Sequence, residues 1–502
     1  MSLSSRALRL GATFGLSLLS SCESLYGGFG VDNPGNCVVN SALCQAPDQA
    51  CNPVTRECEP AILISAIDPP VASVQGGELA TLSGQRFTPE LRVRVGGREV
   101  TSLTVSSDRS LSFVLPAGAS PAGPASVEVS HPAGQTQRRD DLFRYYEDVQ
   151  LMAGQPVALP FSPKYARVAD FNADGRQDIV LSDAFGAGVV VLLGQGDGGF
   201  AAPLASSFSG RAYALAVGDV NGDGFPDVAV TLTGPTSTIE VALGNGDGTL
   251  RTPVSVTTQT TLGALGLGDF DGDRRADLVA VDDLKLRFWH SNGDGSFSTL
   301  STDMPLSYQS FGASGRLWVA DLDGDSALDI LAINGRDFSY PVLFGQGNGT
   351  FSESAGPLYV GSPTLACVGD SDGDGLLDIL TPLSQVNNSI ALSRQGPVRA
   401  FKQPTSYVAP NNLTGCELRD LNGDGVSDMV AFSSLGTAGA LATLHGLGAG
   451  RFATARSYTL PPFPQVAITA QLDGDQRPDL LVAHRGASGS GNFYTVFRNA
   501  TP

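Results

Sequence analysis

Asp370-Ser371-Asp372-Gly373-Asp374-Gly375-Leu376-Leu377-Asp378 sets carboxylates at positions one, three, five and nine of a short stretch. The spacing Asp-x-(Asp/Asn)-x-Asp-x-x-x-Asp recurs from Asp170, Asp219, Asp269, Asp321 and Asp420, and in degraded form from Gln471. Successive copies begin 49, 50, 52, 49, 50 and 51 residues apart. A fixed period of this length marks one supersecondary unit repeated along the chain. Apolar, strand-like runs flank the copies, as Ala214 to Val217 and Val228 to Val230 flank the second. Each copy is therefore read as a loop joining two strands.

Oxygen donors at alternate positions, with a fourth four residues on, wrap one ion. Calcium takes six to eight oxygens and accepts carboxylate, amide and backbone carbonyl oxygens alike. Positions one, three and five are assigned as side-chain ligands, position seven as a backbone carbonyl and position nine as the closing carboxylate. The predicted ligands are Asp170, Asn172, Asp174 and Asp178 in copy one, and Asp219, Asn221, Asp223 and Asp227 in copy two. Copy three offers Asp269, Asp271, Asp273 and Asp277, and copy four Asp321, Asp323, Asp325 and Asp329. Copy five offers Asp370, Asp372, Asp374 and Asp378, and copy six Asp420, Asn422, Asp424 and Asp428. Copy seven keeps only Asp473, Asp475 and Asp479, and is expected to be the weakest of about six or seven structural calcium sites. Glycine at position six permits the sharp turn. Arg274, Ser326 and Gln476 replace it in copies three, four and seven, which should strain those turns. A single such stretch reads as readily as a polar turn; six in phase favour the metal. No long helical pattern flanks the loops, so they are not EF-hands.

A second signature trails each loop: Leu193-Gly194-Gln195-Gly196-Asp197-Gly198-Gly199-Phe200, then Leu243-Gly244-Asn245-Gly246-Asp247-Gly248-Thr249-Leu250, with Ser291 to Phe297 and Phe344 to Phe351 repeating it. Asn-Gly and Asp-Gly pairs between apolar runs signal tight hairpin turns, because these residues tolerate positive φ. A phosphate-cradle reading is disfavoured, since neither a lysine nor a helix follows. Four strands per unit, seven units and almost no helix pattern predict an all-β, seven-bladed β-propeller. Acidic loop and Gly-x-Gly-Asp-Gly-x-Phe turn together resemble the FG-GAP/VCBS repeats of integrin α-chain propellers and many bacterial surface proteins, over Asp148 to Pro502. The resemblance implies calcium between the first and second strands of each blade, in a mainly structural role. Aligning Asp170 with Asp219 sets Leu151 opposite Phe200. Leu151 to Leu159 then matches an outer strand that the first blade does not need and the last one lacks, so it is expected to close the ring.

The net charge is −19, and 24 of 50 acidic residues fall in the repeat loops. Six or seven divalent ions would offset most of that charge. The acidity argues against nucleic acid, which needs a basic face. Arg6 and Arg9 precede an apolar run, Leu10 to Leu19, too short to span a bilayer. Leu19-Ser20-Ser21-Cys22 resembles a bacterial lipobox, which implies lipidation at Cys22 after removal of a signal peptide, residues 1–21; an ordinary signal peptide is the alternative. Residues 22–36 are read as a linker. Cys37, Cys44, Cys51 and Cys58 stand at seven-residue intervals within a small module, residues 37–59, that two disulfides are expected to staple in one of three connectivities. A zinc site is disfavoured there, because no Cys-x-x-Cys pair occurs. Cys367 and Cys416 lie three and four residues before their loops. That offset points them to opposite sheet faces, so buried free thiols are the plainer expectation and a bridge the alternative.

Short alternating strands divided by Gly and Pro fill the segment from Ile62 to Tyr146, as in Val93-Arg94-Val95-Gly96-Gly97 and Ala125-Ser126-Val127-Glu128-Val129. They predict an antiparallel sandwich over residues 60–147. With Gly76-Gly77 and the later Gly84-x-x-Phe87, the segment resembles an IPT/TIG immunoglobulin-like domain, for which a spacer role is expected. The propeller is assigned residues 148–502.

The favoured function is a lipid-anchored binding or adhesion protein of the cell envelope that takes a protein or glycan. Its ligand edge is expected on the connections opposite the acidic loops, at 182–188, 233–238, 307–315, 334–340, 358–363 and 407–413. Tyr308, Phe311, Arg316, Arg336, Phe338, Tyr340, Tyr359 and Tyr407 are the candidate contacts there. A lectin is the alternative, and a polysaccharide lyase a more distant one. Against an enzyme, His131, His290, His445 and His484 show no metal-ligand spacing, and no nucleophile motif occurs.

Overall fold

The structure is a computed structural model that describes residues 49–51 and 58–501 apart from short stretches, of which 304–316 is the longest. All regular elements among the described residues are β-strands. The chain divides into two units, Met1–Tyr145 and Tyr146–Pro502.

In the first unit, Arg92–Val95 alternates exposed arginine with buried valine, and Ser110–Val114 alternates in the same way. Period-two burial of this kind gives a sheet one apolar face. Leu63–Asp68, Leu79–Gln85, Ser110–Val114 and Thr101–Ser107 form one sheet in that order; Thr136–Arg139, Val127–Ser130, Arg92–Val95 and Arg98–Glu99 form the other. Leu82, Leu111 and Phe113 from the first meet Val93, Val95, Val127 and Val129 from the second in one core, as in a sandwich. Upstream, Gln49–Cys51 pairs with Cys58–Pro60, with Cys51 opposite Cys58. Cys22, Cys37 and Cys44 lie outside the described residues.

The second unit repeats a four-stranded antiparallel meander. The first sheet runs Pro163–Ala169, Asp178–Asp183, Gly188–Leu192, Leu204–Ser207, and five further sheets follow with first strands at Ala212–Gly218, Leu262–Gly268, Leu317–Ala320, Cys367–Gly369 and Leu413–Arg419. The seventh takes Pro464–Ala470, Asp479–His484 and Asn492–Asn499, and its outer strand comes from Leu151–Ala153 and Val157–Leu159. Leu151 pairs with Asn499 and Leu159 with Asn492, which is the closure expected from the sequence.

Second strands such as Asp227–Leu232 are buried along their whole length. Their near-continuous apolar sequence follows from packing on both faces. Val180 of the first sheet packs with Val228 of the second, Val241 with Leu278 of the third, Phe288 with Ile330 of the fourth, and Leu331 with Ile379 of the fifth. Leu392 then packs with Met429, Val430 with Leu480, and Leu481 of the seventh sheet with Ile179 of the first. The circuit is closed by side chains as well as by strands, and it fits a β-propeller.

The stacking overturns the expectation of free thiols. Cys367 and Cys416 form a disulfide, with Cα atoms 5.6 Å apart and both residues buried. Adjacent sheets lie face on face. A residue pointing forward from one therefore meets a residue pointing backward from the next, and opposite faces are what a bridge between neighbours requires.

Candidate metal centres

Each acidic loop lies where the sequence places it, between the first and second strands of a sheet. The position-nine carboxylate organises it. Asp178, Asp227, Asp277, Asp329, Asp378, Asp428 and Asp479 are all buried. In each copy one oxygen accepts the N–H of position two, from Phe171 at 2.8 Å in copy one to Leu472 at 3.1 Å in copy seven. The other oxygen accepts an N–H at the start of the following turn: Gly194, Gly244, Ser291, Gly345, Gln395, Gly446 or Asn499, at 2.7–2.9 Å. Position nine thus ties loop to turn. Outside copies five and six, where Ser371 Oγ also donates to Asp378 and His445 Nδ1 lies on Asp428, each oxygen keeps a second lone pair that a cation can use. Burial, reinforced by neighbouring carboxylates, pushes Asp227, Asp277, Asp329, Asp378 and Asp479 up to about 6.

Position one fastens the turn itself. Gly175 N–H donates to Asp170 at 2.8 Å, Gly224 N–H to Asp219 at 2.8 Å and Gly375 N–H to Asp370 at 2.9 Å. Position six has left-handed φ in every copy, including Arg274 at 67°, Ser326 at 72° and Gln476 at 71°, so the strain expected of these substitutions is present. Position four is left-handed too, with Ala173 at 55° the one non-glycine; sequence reading missed this second constraint.

The Gly-rich turns do more than reverse the chain. In every copy the carbonyl of position two accepts a bond from the next sheet. Gly248 donates to Phe171 at 3.1 Å, Ser291 Oγ to Val220 at 2.5 Å and Gly349 to Phe270 at 2.8 Å. Leu377 donates to Leu322 at 2.8 Å, Gly450 to Ser371 at 3.3 Å, Asn499 Nδ2 to Leu421 at 2.5 Å and Gly198 to Leu472 at 3.0 Å. Loops and turns therefore form a continuous hydrogen-bonded belt on one side of the unit.

Within the belt, Asp269, Asp271 and Asp273 present carboxylate oxygens all within 4.8 Å of one another, as do Asp321, Asp323 and Asp325, and Asp370, Asp372 and Asp374. Three like charges at that separation repel by about 3 kcal/mol per pair at an effective dielectric of ~20. Asp372 Oδ1 is buried with no hydrogen-bond partner, an orphan acceptor beside two other carboxylates. This donor set, all oxygen with an unsatisfied acceptor at its centre, fits a hard divalent cation. Copy seven contrasts with it: Gln471 is uncharged, and both polar atoms of its side chain are buried without partners.

The protein's own cations also reach the loops, which sequence reading did not foresee. Arg176 pairs with Asp174 at 2.7 Å, Arg275 with Asp273, and Arg394 with Asp372 at 3.2 Å. Arg399 pairs with Asp323 and, at 2.6 Å, with Asp325. His290 Nδ1 lies 3.2 Å from Asp271 and 3.8 Å from Asp277. His445 touches Asp424 through Nε2 at 3.3 Å and Asp428 through Nδ1 at 2.8 Å. Spacing along the sequence did not show these contacts of His290 and His445, because the carboxylates lie across the sheet. The signal available was their register, since His290 and His445 both stand immediately before the first residue of the turn, in the place of Leu193 and Leu243.

At the strand ends away from the belt, Phe185 is 60% exposed, with the Arg211 and Arg485 guanidiniums 5.4 and 5.7 Å from its ring. Lys164 Nζ lies 4.7 Å from the Tyr165 ring and 4.8 Å from that of Tyr213. Two expected contacts at this edge are corrected. Tyr340 is fully buried, and Tyr407 packs edge-on against Phe452 with its hydroxyl donating to Gly450. Tyr308, Phe311, Arg316, Arg336 and Phe338 lie outside the described residues, as does the side chain of Tyr359.

Comparison with known proteins follows the same division. An FG-GAP-like repeat matches residues 170–230, 269–332, 321–381 and 387–482, and an IPT/TIG domain matches residues 63–145. No curated protein matches the chain. Among solved structures it is similar to an Agrocybe aegerita lectin that recognises non-reducing terminal N-acetylglucosamine, at 16% identity over 73% of this chain and 94% of that one, with a TM-score of 0.43. It is similar to BBS1N in complex with ARL6DN at 11% identity over 70% and 98%, with a TM-score of 0.49. An auxiliary nutrient binding protein from Bacteroides ovatus matches at 9% identity over 87% and 98%, with a TM-score of 0.36.

Proposed function

The chain belongs to the FG-GAP-like repeat family, and from that premise we propose that it is a lipid-anchored binding protein of the cell envelope with a seven-bladed, calcium-stabilised propeller. The two ends of the sheets divide the work. The acidic belt holds calcium through positions one, three and five of the loops, and bound calcium supplies the positive charge that offsets carboxylate repulsion. The opposite end meets the partner.

The observation that carries the binding reading is the patch around Phe185. An exposed aromatic ring flanked by two arginines, with Lys164 over two tyrosines nearby, is unusual on a chain of net charge −19. Aromatic and arginine side chains of this kind dominate binding energy at interfaces. The partner is a protein or glycan, the action is binding rather than catalysis, and Cys22 carries the lipid.

Glycan arrays and pull-downs from the native cell surface, with wild type and a Phe185→Ala/Arg211→Glu variant, test the reading. A ligand lost by the variant at unchanged melting temperature supports it; a ligand that the variant retains contradicts it. Cys22→Ser should abolish partition into detergent, and continued partition would argue for another attachment.

A further inference from the structure

We infer that the third loop is a mixed nitrogen–oxygen site for a divalent transition ion such as zinc, built from His290, Asp271 and Asp277. It stands whether or not the other loops take calcium. Among the described residues this is the one loop in which a histidine joins a convergent group of ligand atoms, all within 4.8 Å of one another.

Three features support it. First, Nδ1 of His290 faces two carboxylates at once, Asp271 at 3.2 Å and Asp277 at 3.8 Å. One N–H serves a single acceptor well, whereas a metal at the focus would serve all three atoms. Zinc bonds of 2.0–2.2 Å to nitrogen and oxygen put tetrahedral ligands about 3.4 Å apart, and the two observed separations bracket that value. Secondly, the ring is held in place: Phe288 packs edge-on at 4.6 Å, and Gly349 of the next sheet leaves room where a Cβ would meet Cε1 at 2.9 Å. Thirdly, Arg275 already engages Asp273, as arginines engage the first, fourth and fifth loops; that weakens the all-oxygen set for a hard cation, and in the third loop a histidine supplies another donor. Imidazole shifts preference toward zinc and its neighbours, while carboxylate and carbonyl donors suit calcium. His290 is half-exposed, so an ion has access.

The sixth loop provides an internal contrast. His445 lies across it, with one nitrogen on Asp428, the other on Asp424, and its ring stacked on Tyr146 at 3.6 Å. Both nitrogens are engaged by separate carboxylates, so no single focus remains.

The test uses the full chain, stripped of metal and returned to excess calcium. Zinc titration by calorimetry should show one ion per chain that calcium does not displace, and cobalt should give the absorption of a four-coordinate nitrogen–oxygen site. Loss of a residue that only hydrogen-bonds a metal ligand costs about 10–100-fold in affinity, so loss of a direct ligand in His290→Ala should weaken zinc by at least ~100-fold. His445→Ala should leave zinc unchanged. Zinc displaced by calcium, or bound equally by His290→Ala, would overturn the assignment. Should His290→Ala not fold, His290→Gln and the cobalt spectrum of the unsubstituted chain decide. The calcium-dependent melting shift of the same samples reads the calcium proposal separately.

Discussion

Positions five and nine of each repeat carry the same side chain and different loads. Asp227, at position nine, is buried and accepts backbone N–H groups from Val220 and Gly244. Asp223, at position five, lies in the loop and accepts the Phe225 N–H. Asp227→Ala would leave two buried donors unpaired at about 1–3 kcal/mol each, so it should lower stability by roughly 3 kcal/mol or more with calcium present or absent. Asp223→Ala should lower only the part that calcium adds. Denaturant melts of both variants with calcium and with chelator distinguish the two roles. Sequence spacing marked both residues as ligands but did not show the structural load on Asp227, because its donors are backbone groups, one of them, Gly244, from the next turn. His484 is a second residue whose role lies in its surroundings. It is buried, Nδ1 lies 3.3 Å from the Pro462 carbonyl, and Nε2 has no partner. Burial lowers it from 6.5 to about 4. The unfolded chain therefore takes up the proton first, and stability falls as pH drops from about 6.5 to about 4, by up to about 3 kcal/mol. The raised position-nine carboxyls act with the opposite sign over the same range, so the difference between wild type and His484→Phe isolates the histidine. The variant should lose less stability than wild type between pH 7 and pH 4.5; equal losses would contradict the assignment.

The elements show which parts of the fold a one-dimensional reading reaches. Strand count, loop positions and the displaced outer strand were legible, because each follows from period and register within one repeat. Contacts between repeats were not. The Cys367–Cys416 bridge, the Arg399 contact with Asp323 and the belt of position-two carbonyls all join neighbouring sheets. The closing strand carries a testable load. Beyond its pairing with Asn492–Asn499, its approach is tied down by Ala500 N–H to the Gln150 carbonyl at 2.7 Å and Tyr458 hydroxyl to the Val149 carbonyl at 2.7 Å. A chain beginning at Pro160 loses these bonds and the burial of Leu151 and Leu159, about 1.5–3 kcal/mol for each side chain. It should be less stable than one beginning at Asp148 by roughly 3–6 kcal/mol and should aggregate through the exposed edge. Equal melting temperatures would mean that Leu151–Leu159 does not close the ring.

For the whole molecule, the belt concentrates 24 of 50 acidic residues on one side of seven stacked sheets. Some of that charge is met from within by Arg176, Arg275, Arg394 and Arg399. The rest, including the orphan oxygen of Asp372, is what the proposed calcium would meet. Because position-two carbonyls link each loop to the next sheet, loosening one loop should loosen the circuit, so calcium should act on the melting of the unit as a whole. A ligand at one hundred times its Kd adds about 2.7 kcal/mol per site to the folded state, and the proposed calcium sites are expected to bind weakly, at about 10⁻⁴–10⁻³ M. The most direct measurement is the melting temperature of the full chain as calcium is titrated into a chelated sample. The melting temperature should rise progressively over the millimolar range, less for Asp374→Ala than for Asp475→Ala. A melting temperature that does not move between chelator and saturating calcium would contradict the calcium reading.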